Sequence, residues 1–182
     1  MNEFNYSKLA AAGDDVFISA NANIRRPHLV SVGNHVAIDH GFYMTAAAKI
    51  GDHVHIGPYV VVIGGERSSL ELGNFTNLTV GARLICGSDS FDGSGLVSAP
   101  GIPKEMLNSV VLGKIVVKDF AAVCSGAIVM PNVTIAEGSV VGVNSLVTED
   151  TEPWTIYAGT PARPIKKRPS EQMLAYARQL GY

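Results

Sequence analysis

Charge is scarce in this sequence, and so are large rings. Asp, Glu, Lys and Arg make up 16% of the 182 residues, well under the usual quarter. That excludes a charge-rich disordered chain and a solvated coiled coil. A formal net charge of -2 leaves no basic footprint for nucleic acid. Aromatic residues are 7%, so the core must be filled by small aliphatic side chains. Two cysteines, Cys86 and Cys124, are too few for a disulfide framework and fit a reducing compartment. Mean hydropathy is positive, at +0.21, yet no apolar run approaches the ~20 residues of a spanning helix. Gly, Asp or Asn cuts each run, as around Tyr59 to Ile63. The first residues, Met1 to Phe4, form neither the basic nor the apolar part of a signal peptide. The expectation is one domain in the cytoplasm.

What the sequence has is a period of six. Aliphatic residues recur at that step in four runs: Ile18 to Val30, Val32 to Val62, Leu72 to Leu84, and Val111 to Val147. Together they make nineteen six-residue units. The residue after each aliphatic is often glycine or aspartate (Gly33, Asp39, Gly51, Gly57, Gly73, Gly142). The fourth after it is small or β-branched (Val36, Val54, Thr76, Ala82, Ala121, Ser139, Ser145). Neither an amphipathic helix nor an alternating strand gives a period of six. A parallel β-helix does, each unit being a short strand and a turn, with the aliphatic stacked inward. On this reading Gly or Asn/Asp supplies the tight turn.

Two interruptions break the period. Four extra residues fall around Gly64-Gly65-Glu66-Arg67, and the step from Leu84 to Val111 is 27. The second holds a stretch from Gly87 rich in Ser, Asp, Gly and Pro, expected as an external loop over 87–109. Long loops on a regular scaffold usually carry function.

The repeats, with IVMPNVTIAEGSVVGVNSLVTED and then IYAGTPARPIKK near the C-terminus, resemble the hexapeptide-repeat acyltransferase family. The resemblance implies an all-β, left-handed parallel β-helix over 1–168, an exception to the usual right-handed crossover. Nineteen units make about six triangular coils. The ends of such a prism need caps, here the polar N-terminal segment and a C-terminal helix over 169–182, which could equally pack on a neighbouring subunit. That helix starts after Pro169 with Ser170 as N-cap and places Met173, Leu174, Ala177 and Leu180 on one face. Family members are trimers and bind acyl-CoA, as acetyl-CoA, in the groove between prisms. By the family's pattern Ser125, Val143 and Thr148 line that groove, and Gly126 leaves room for pantetheine. Many relatives have Lys where this chain has Glu149, so positive charge for phosphate falls to Arg163, Lys166, Lys167 and Arg168. No metal is expected: His35 and His40 show the five-residue step of the related zinc enzymes, but the third histidine those enzymes need is missing.

In the best-known sugar and antibiotic acetyltransferases of this family a loop histidine takes the proton from the acceptor hydroxyl. The loop here has no histidine, and aligning the hexads on either side puts Asp89 at that position, between Ser88 and Ser90. A sugar hydroxyl is a very weak acid and needs a strong base. A sugar amine, with a pKa near ~8 by analogy with an α-amino group, is already partly neutral at pH 7. The departure therefore favours N-acylation, with Asp89 orienting the amine. The resemblance points to acyltransferases of nucleotide-linked amino sugars for surface polysaccharides, with sugar O-acetylation or a non-catalytic scaffold as alternatives. His53 is the other candidate catalytic group, reaching from a neighbouring prism. His55, Tyr59, Glu66 and Arg67 join Ser88 and Ser90 as candidate substrate-binding residues.

Overall fold

Each six-residue unit becomes one short strand and one corner, and three units close a triangular coil. The computed structural model describes residues 4–182, so Met1–Glu3 of the expected N-terminal cap lie outside the described residues. The strands stack into three faces of a parallel β-helix. The first face holds Ala11–Ala12, Val30–Val32, Ala47–Ile50, Ser69–Leu72, Lys114–Val117 and Thr134–Ile135. The second holds Val16–Ile18, Val36–Ile38, His55–Ile56, Asn77–Leu78, Ala122–Val123, Val140–Val141 and Thr155–Gly159. The third holds Asn23–Ile24, Tyr43–Met44, Val61–Ile63, Arg83–Ile85, Ile128–Val129 and Leu146–Val147. The repeat aliphatics point inward: Ile38, Met44, Ile56, Val62, Leu78, Leu84, Val123, Val129, Ile135 and Val141 are all fully buried. Each contributes about 1.5–3 kcal/mol by burial. The small residues at the fourth position fill the corners, and Val36, Val54, Ala82, Ala121 and Ser139 are buried there.

The corners between the first and second faces differ from the expected turn. Positive φ does not fall on Gly33, Gly51 or Gly73 but two residues later, at His35 (56°), His53 (56°), Phe75 (58°) and Phe120 (62°). The glycines serve a different need. A Cβ on Gly51 would stand 2.6 Å from Asn74 Oδ1, and Gly33 and Gly73 face Asp52 and Asp119 just as closely. These Asn and Asp side chains form a ladder along the corner. Asn34 accepts from the Asp14 N–H (2.9 Å), Asp52 from Asn34 (2.7 Å), Asn74 from Asp52 (2.8 Å) and Asp119 from Asn74 (2.8 Å). One residue further on, the rings stack: His35 on His53 at 4.7 Å, His53 on Phe75 at 4.9 Å, and Phe75 on Phe120 at 5.2 Å.

The C-terminal helix, Glu171–Gln179, does not cap the end of the prism. It lies along this ring column, where an apolar surface is already present to receive it. Tyr182 sets its ring edge against His53 and Phe75 and donates its hydroxyl to Asp52 Oδ2 at 2.8 Å. The Asn34 N–H and the Tyr182 hydroxyl hold the Asp52 carboxyl below the usual carboxylate range. Ala177 is buried by the docking, but Leu180 remains 60% exposed, so the expected apolar face is used in part. Ser170 makes no side-chain cap; its own N–H donates to Glu171. The C-terminal end of the prism is closed instead by Ala162–Lys167, which folds back antiparallel on Thr155–Gly159 and buries Tyr157 and Ala162. At the other end Phe4 and Leu9 pack against the core.

Replacing Asn74 by Ala leaves the Asp52 N–H without its acceptor, a cost of about 1–3 kcal/mol. Scanning calorimetry should show Tm lower by several degrees, with Asn74→Asp falling less because an oxygen acceptor is kept. An unchanged Tm in Asn74→Ala would refute the ladder's structural role.

Candidate active site

Both interruptions of the repeat fall on the corner between the third and first faces, in successive coils. A Cβ added to Gly87, at the base of the long loop, would lie 3.3 Å from Gly64 Cα in the shorter insertion below it. The loop leaves the coil as a strand, Gly87–Asp89, and returns antiparallel as Val110–Leu112. Ser90 continues the ladder by donating its N–H to Ser109 O (2.9 Å), and the two hydroxyls meet at 3.0 Å. Ser88 turns its hydroxyl back to the Asp89 carbonyl (3.1 Å).

Asp89 stands where this stem ends. Its Oδ2 accepts the Ser98 N–H at 2.9 Å and its Oδ1 the Ser98 hydroxyl at 2.8 Å. These two bonds hold its carboxyl below the usual range, so it is ionised at neutral pH. Each oxygen keeps a further acceptor site. Asp92, at the loop tip, is lowered in the same way by Ser94. Beneath the loop, burial pushes the Cys86 thiol up to about 12, which removes it as a nucleophile. This corner therefore offers an anion that accepts hydrogen bonds, with neither an imidazole nor a thiolate in the loop.

In the shorter insertion, Glu66 is drawn toward Arg26 (3.3 Å), whose guanidinium also donates to Thr45 O at 2.7 Å. Arg67 is exposed. Glu66, Arg67, Ser88, Asp89 and Ser90 thus share one corner. The other expected site residues do not. Tyr59 (59% exposed), Ser125, Gly126 and Val143 (63% exposed) lie on the corner between the second and third faces. There the Ser125 and Thr79 hydroxyls pair at 3.1 Å. His55 faces outward on the second face, bonded to Asp39 Oδ2 at 2.9 Å.

Three of the expected residues have partners within the chain. His53, expected to reach from a neighbouring prism, sits on the first–second corner with both ring faces covered by His35 and Phe75. Arg168 is turned inward: it donates to the carbonyls of Phe120 and Gly138 (2.9 Å each) and lies over Trp154. Lys167 is held by Glu152 (2.7 Å) and Thr155 Oγ1 (2.8 Å). Of the expected phosphate ligands, Arg163, Lys166 and Lys167 are all exposed, and only Arg168 is half-buried. Arg163 and Thr148 line one cleft of about 280 Å³ together with Glu149, Asp150 and Glu152, an acidic setting for an anion. His35 and His40 fall on different corners, and among the described residues no group of three His, Cys, Asp or Glu gathers as metal ligands. Among the described residues no helix is long and apolar enough to cross a membrane. Ser98, which fixes Asp89, was not foreseen; it lies nine residues away in a stretch without a pattern.

No protein-family model matches the chain. It is 30% identical over 162 residues to the dTDP-4-amino-4,6-dideoxy-D-glucose acyltransferase of Escherichia coli, covering 87% of this chain and 82% of the relative. Among solved structures it superposes on AntD, an N-acyltransferase from Bacillus cereus in complex with dTDP and 3-hydroxybutyryl-CoA. The TM-score is 0.89 and the identity 32%, covering 100% of this chain and 98% of the other. A serine-to-alanine variant of AntD, in complex with dTDP-4-amino-4,6-dideoxyglucose and coenzyme A, matches with the same score and identity over 100% and 99%.

If Ser98 holds the Asp89 carboxylate, Ser98→Ala should move the Asp89 titration up toward the ordinary carboxylate range. Carboxyl-carbon NMR across pH 2–6 (roughly centred on the usual aspartate value) reads this directly. An unmoved titration would remove the hydroxyl bond as a cause.

Proposed function

The chain belongs to the hexapeptide-repeat β-helix acyltransferases, the family of the Escherichia coli amino-sugar enzyme. On that premise we propose that it transfers an acyl group from acyl-CoA to the amino group of a nucleotide-linked amino-deoxy sugar. The observation that carries the choice of amine is the loop itself, which presents the ionised, Ser98-bonded Asp89 where a strong base would be needed for a hydroxyl. The relatives named above support the nucleotide sugar and the donor.

The neutral amine attacks the thioester carbonyl carbon. A C–N bond forms as the carbonyl π electrons move onto oxygen; collapse of that tetrahedral species breaks the C–S bond and releases the CoA thiolate. The nitrogen then loses one proton, which the thiolate or water takes up. Asp89 contributes by accepting a hydrogen bond from the amine and by stabilising the positive charge that develops on nitrogen. Its lowered pKa suits that role and makes it a weak proton acceptor at neutral pH. Ser88 and Ser90 shape the stem that holds it, and Glu66 and Arg67, on the same corner, contact the sugar. Acyl-CoA runs past Ser125, Gly126 and Val143 toward Thr148, with Arg163 and Lys166 for its phosphates. The working unit is a homotrimer in the cytoplasm, serving surface polysaccharide synthesis.

The test is turnover with acetyl-CoA and a panel of dTDP-linked 3- and 4-amino sugars beside their hydroxyl counterparts. Amines alone should be acylated, and Asp89→Asn and Asp89→Ala should lower kcat/KM by about 10²-fold. Equal turnover of the hydroxyl sugars, or an unaltered kcat/KM in both variants, would overturn the mechanism. Light scattering should give three times the 19.2 kDa chain mass; a 19.2 kDa particle would end the shared-site model.

A further inference from the structure

The third face carries an outward row that the residues assigned so far leave unused. Asn23, Tyr43, Val61, Arg83, Ile128 and Leu146 lie in register, each opposite the next, about 4.8 Å apart. Arg83 is the only charged member. It is exposed, and among the described residues no carboxylate lies within ion-pair distance of it. On the first face the corresponding cation, Lys114, is paired with Glu71 at 2.7 Å. Arg67, also near the loop, has the carboxylate of Glu66 as its chain neighbour.

The position of Arg83 is central. It opens the strand that ends at Ile85 and passes into the Asp89 stem. It also follows the corner that carries Thr79, one coil below Ser125 and Gly126. The guanidinium thus stands between the corner proposed for the acyl donor and the corner that holds Asp89. Its neighbours in the row, Val61 and Ile128, are aliphatic. They offer no competing anion and shed water when a ligand covers them, which strengthens an ion pair. A planar fork of donors matches adjacent phosphate oxygens better than an ammonium does. Two coils away in the same row, Tyr43 presents a half-buried ring of the kind on which a base stacks.

We propose that Arg83 binds the diphosphate of the nucleotide-linked substrate, with Tyr43 under the base. This rests on the amino-sugar reading above, and it makes the third face the floor of the acceptor site. CoA carries the same phosphate chemistry, so the test must separate the two ligands.

Calorimetric titration with dTDP, and separately with CoA, is made on the wild-type protein, Arg83→Ala and Arg83→Lys. Loss of a charged hydrogen-bond pair predicts a dTDP Kd raised about 10- to 100-fold in Arg83→Ala. Arg83→Lys should fall between, and CoA affinity should stay unchanged, which also reports an intact fold. KM for the nucleotide sugar should rise with the dTDP Kd. A dTDP Kd in Arg83→Ala equal to wild type would overturn the assignment. So would weakened CoA binding with dTDP unaffected, which would place Arg83 on the donor. A wild-type protein that fails to bind dTDP at all would instead overturn the amino-sugar reading together with the site.

Discussion

At four successive corners between the first and second faces, a backbone N–H at Asp14, Asn34, Asp52 and Asn74 takes its acceptor from the next coil. The Asn and Asp side chains at Asn34, Asp52, Asn74 and Asp119 supply it, and much of the chain follows from that. The side chain reaches over the corner of the coil before, so the residue beneath it must have no Cβ, and Gly13, Gly33, Gly51 and Gly73 stand there. The turn must still close within the unit. The left-handed residue therefore falls on the next position, which His35, His53, Phe75 and Phe120 occupy despite the cost of positive φ. Their rings then stack at coil spacing and create the apolar strip on which the C-terminal helix lies. A hydrogen-bonding demand on one corner thus decides where the helix docks.

That chain of consequences marks what was legible in the sequence. The period of six, the inward aliphatics and the small corner-filling residues are one-dimensional signals, because each coil repeats the same needs at the same spacing. The two interruptions are legible for the same reason, as departures from a strict rule. On the first–second corners the left-handed positions were misplaced because conformational preference points to glycine, whereas there glycine answers a steric demand from another coil. Elsewhere Gly41, Gly81, Gly126, Asn132 and Asn144 do take positive φ. The helix was expected at an end because its amphipathic pattern names an apolar face and no partner. The partner, the ring column, is built from residues 18 to 45 apart that meet only after folding.

The candidate site divides along the same line. Asp89 was reached through the register of the hexads on either side of the loop, so its corner was fixed by counting. Its hydrogen-bond state was not, since Ser98 meets it inside a segment with no period. His53 shows a different limit: its ring stacks on His35 and Phe75 on the corner where the helix docks, a placement that nothing in its local sequence announces. Lys167 and Arg168 looked like free cations in a basic run. The antiparallel return of Ala162–Lys167 brings one to Glu152 and the next to the carbonyls of Phe120 and Gly138, so Arg168 is held within the fold while Arg163, Lys166 and Lys167 stay exposed.

The chemistry of the loop then constrains the acceptor from two sides. A general base for an alcohol must hold the proton it removes, which calls for a pKa near the working pH. Asp89 is moved the other way by the Ser98 N–H and hydroxyl, and Cys86 below it is moved out of reach above. Evolution toward a base would release the carboxylate from its donors or bury it, since burial raises a carboxyl pKa. Instead the loop spends two hydrogen bonds on keeping a half-buried carboxylate ionised and fixed. A fixed anion is what an amine nucleophile uses, because nitrogen gains positive charge as it attacks and sheds its proton only afterward. On the function proposed above, the absent histidine and the tethered Asp89 are one feature, a site arranged around charge that develops on the substrate.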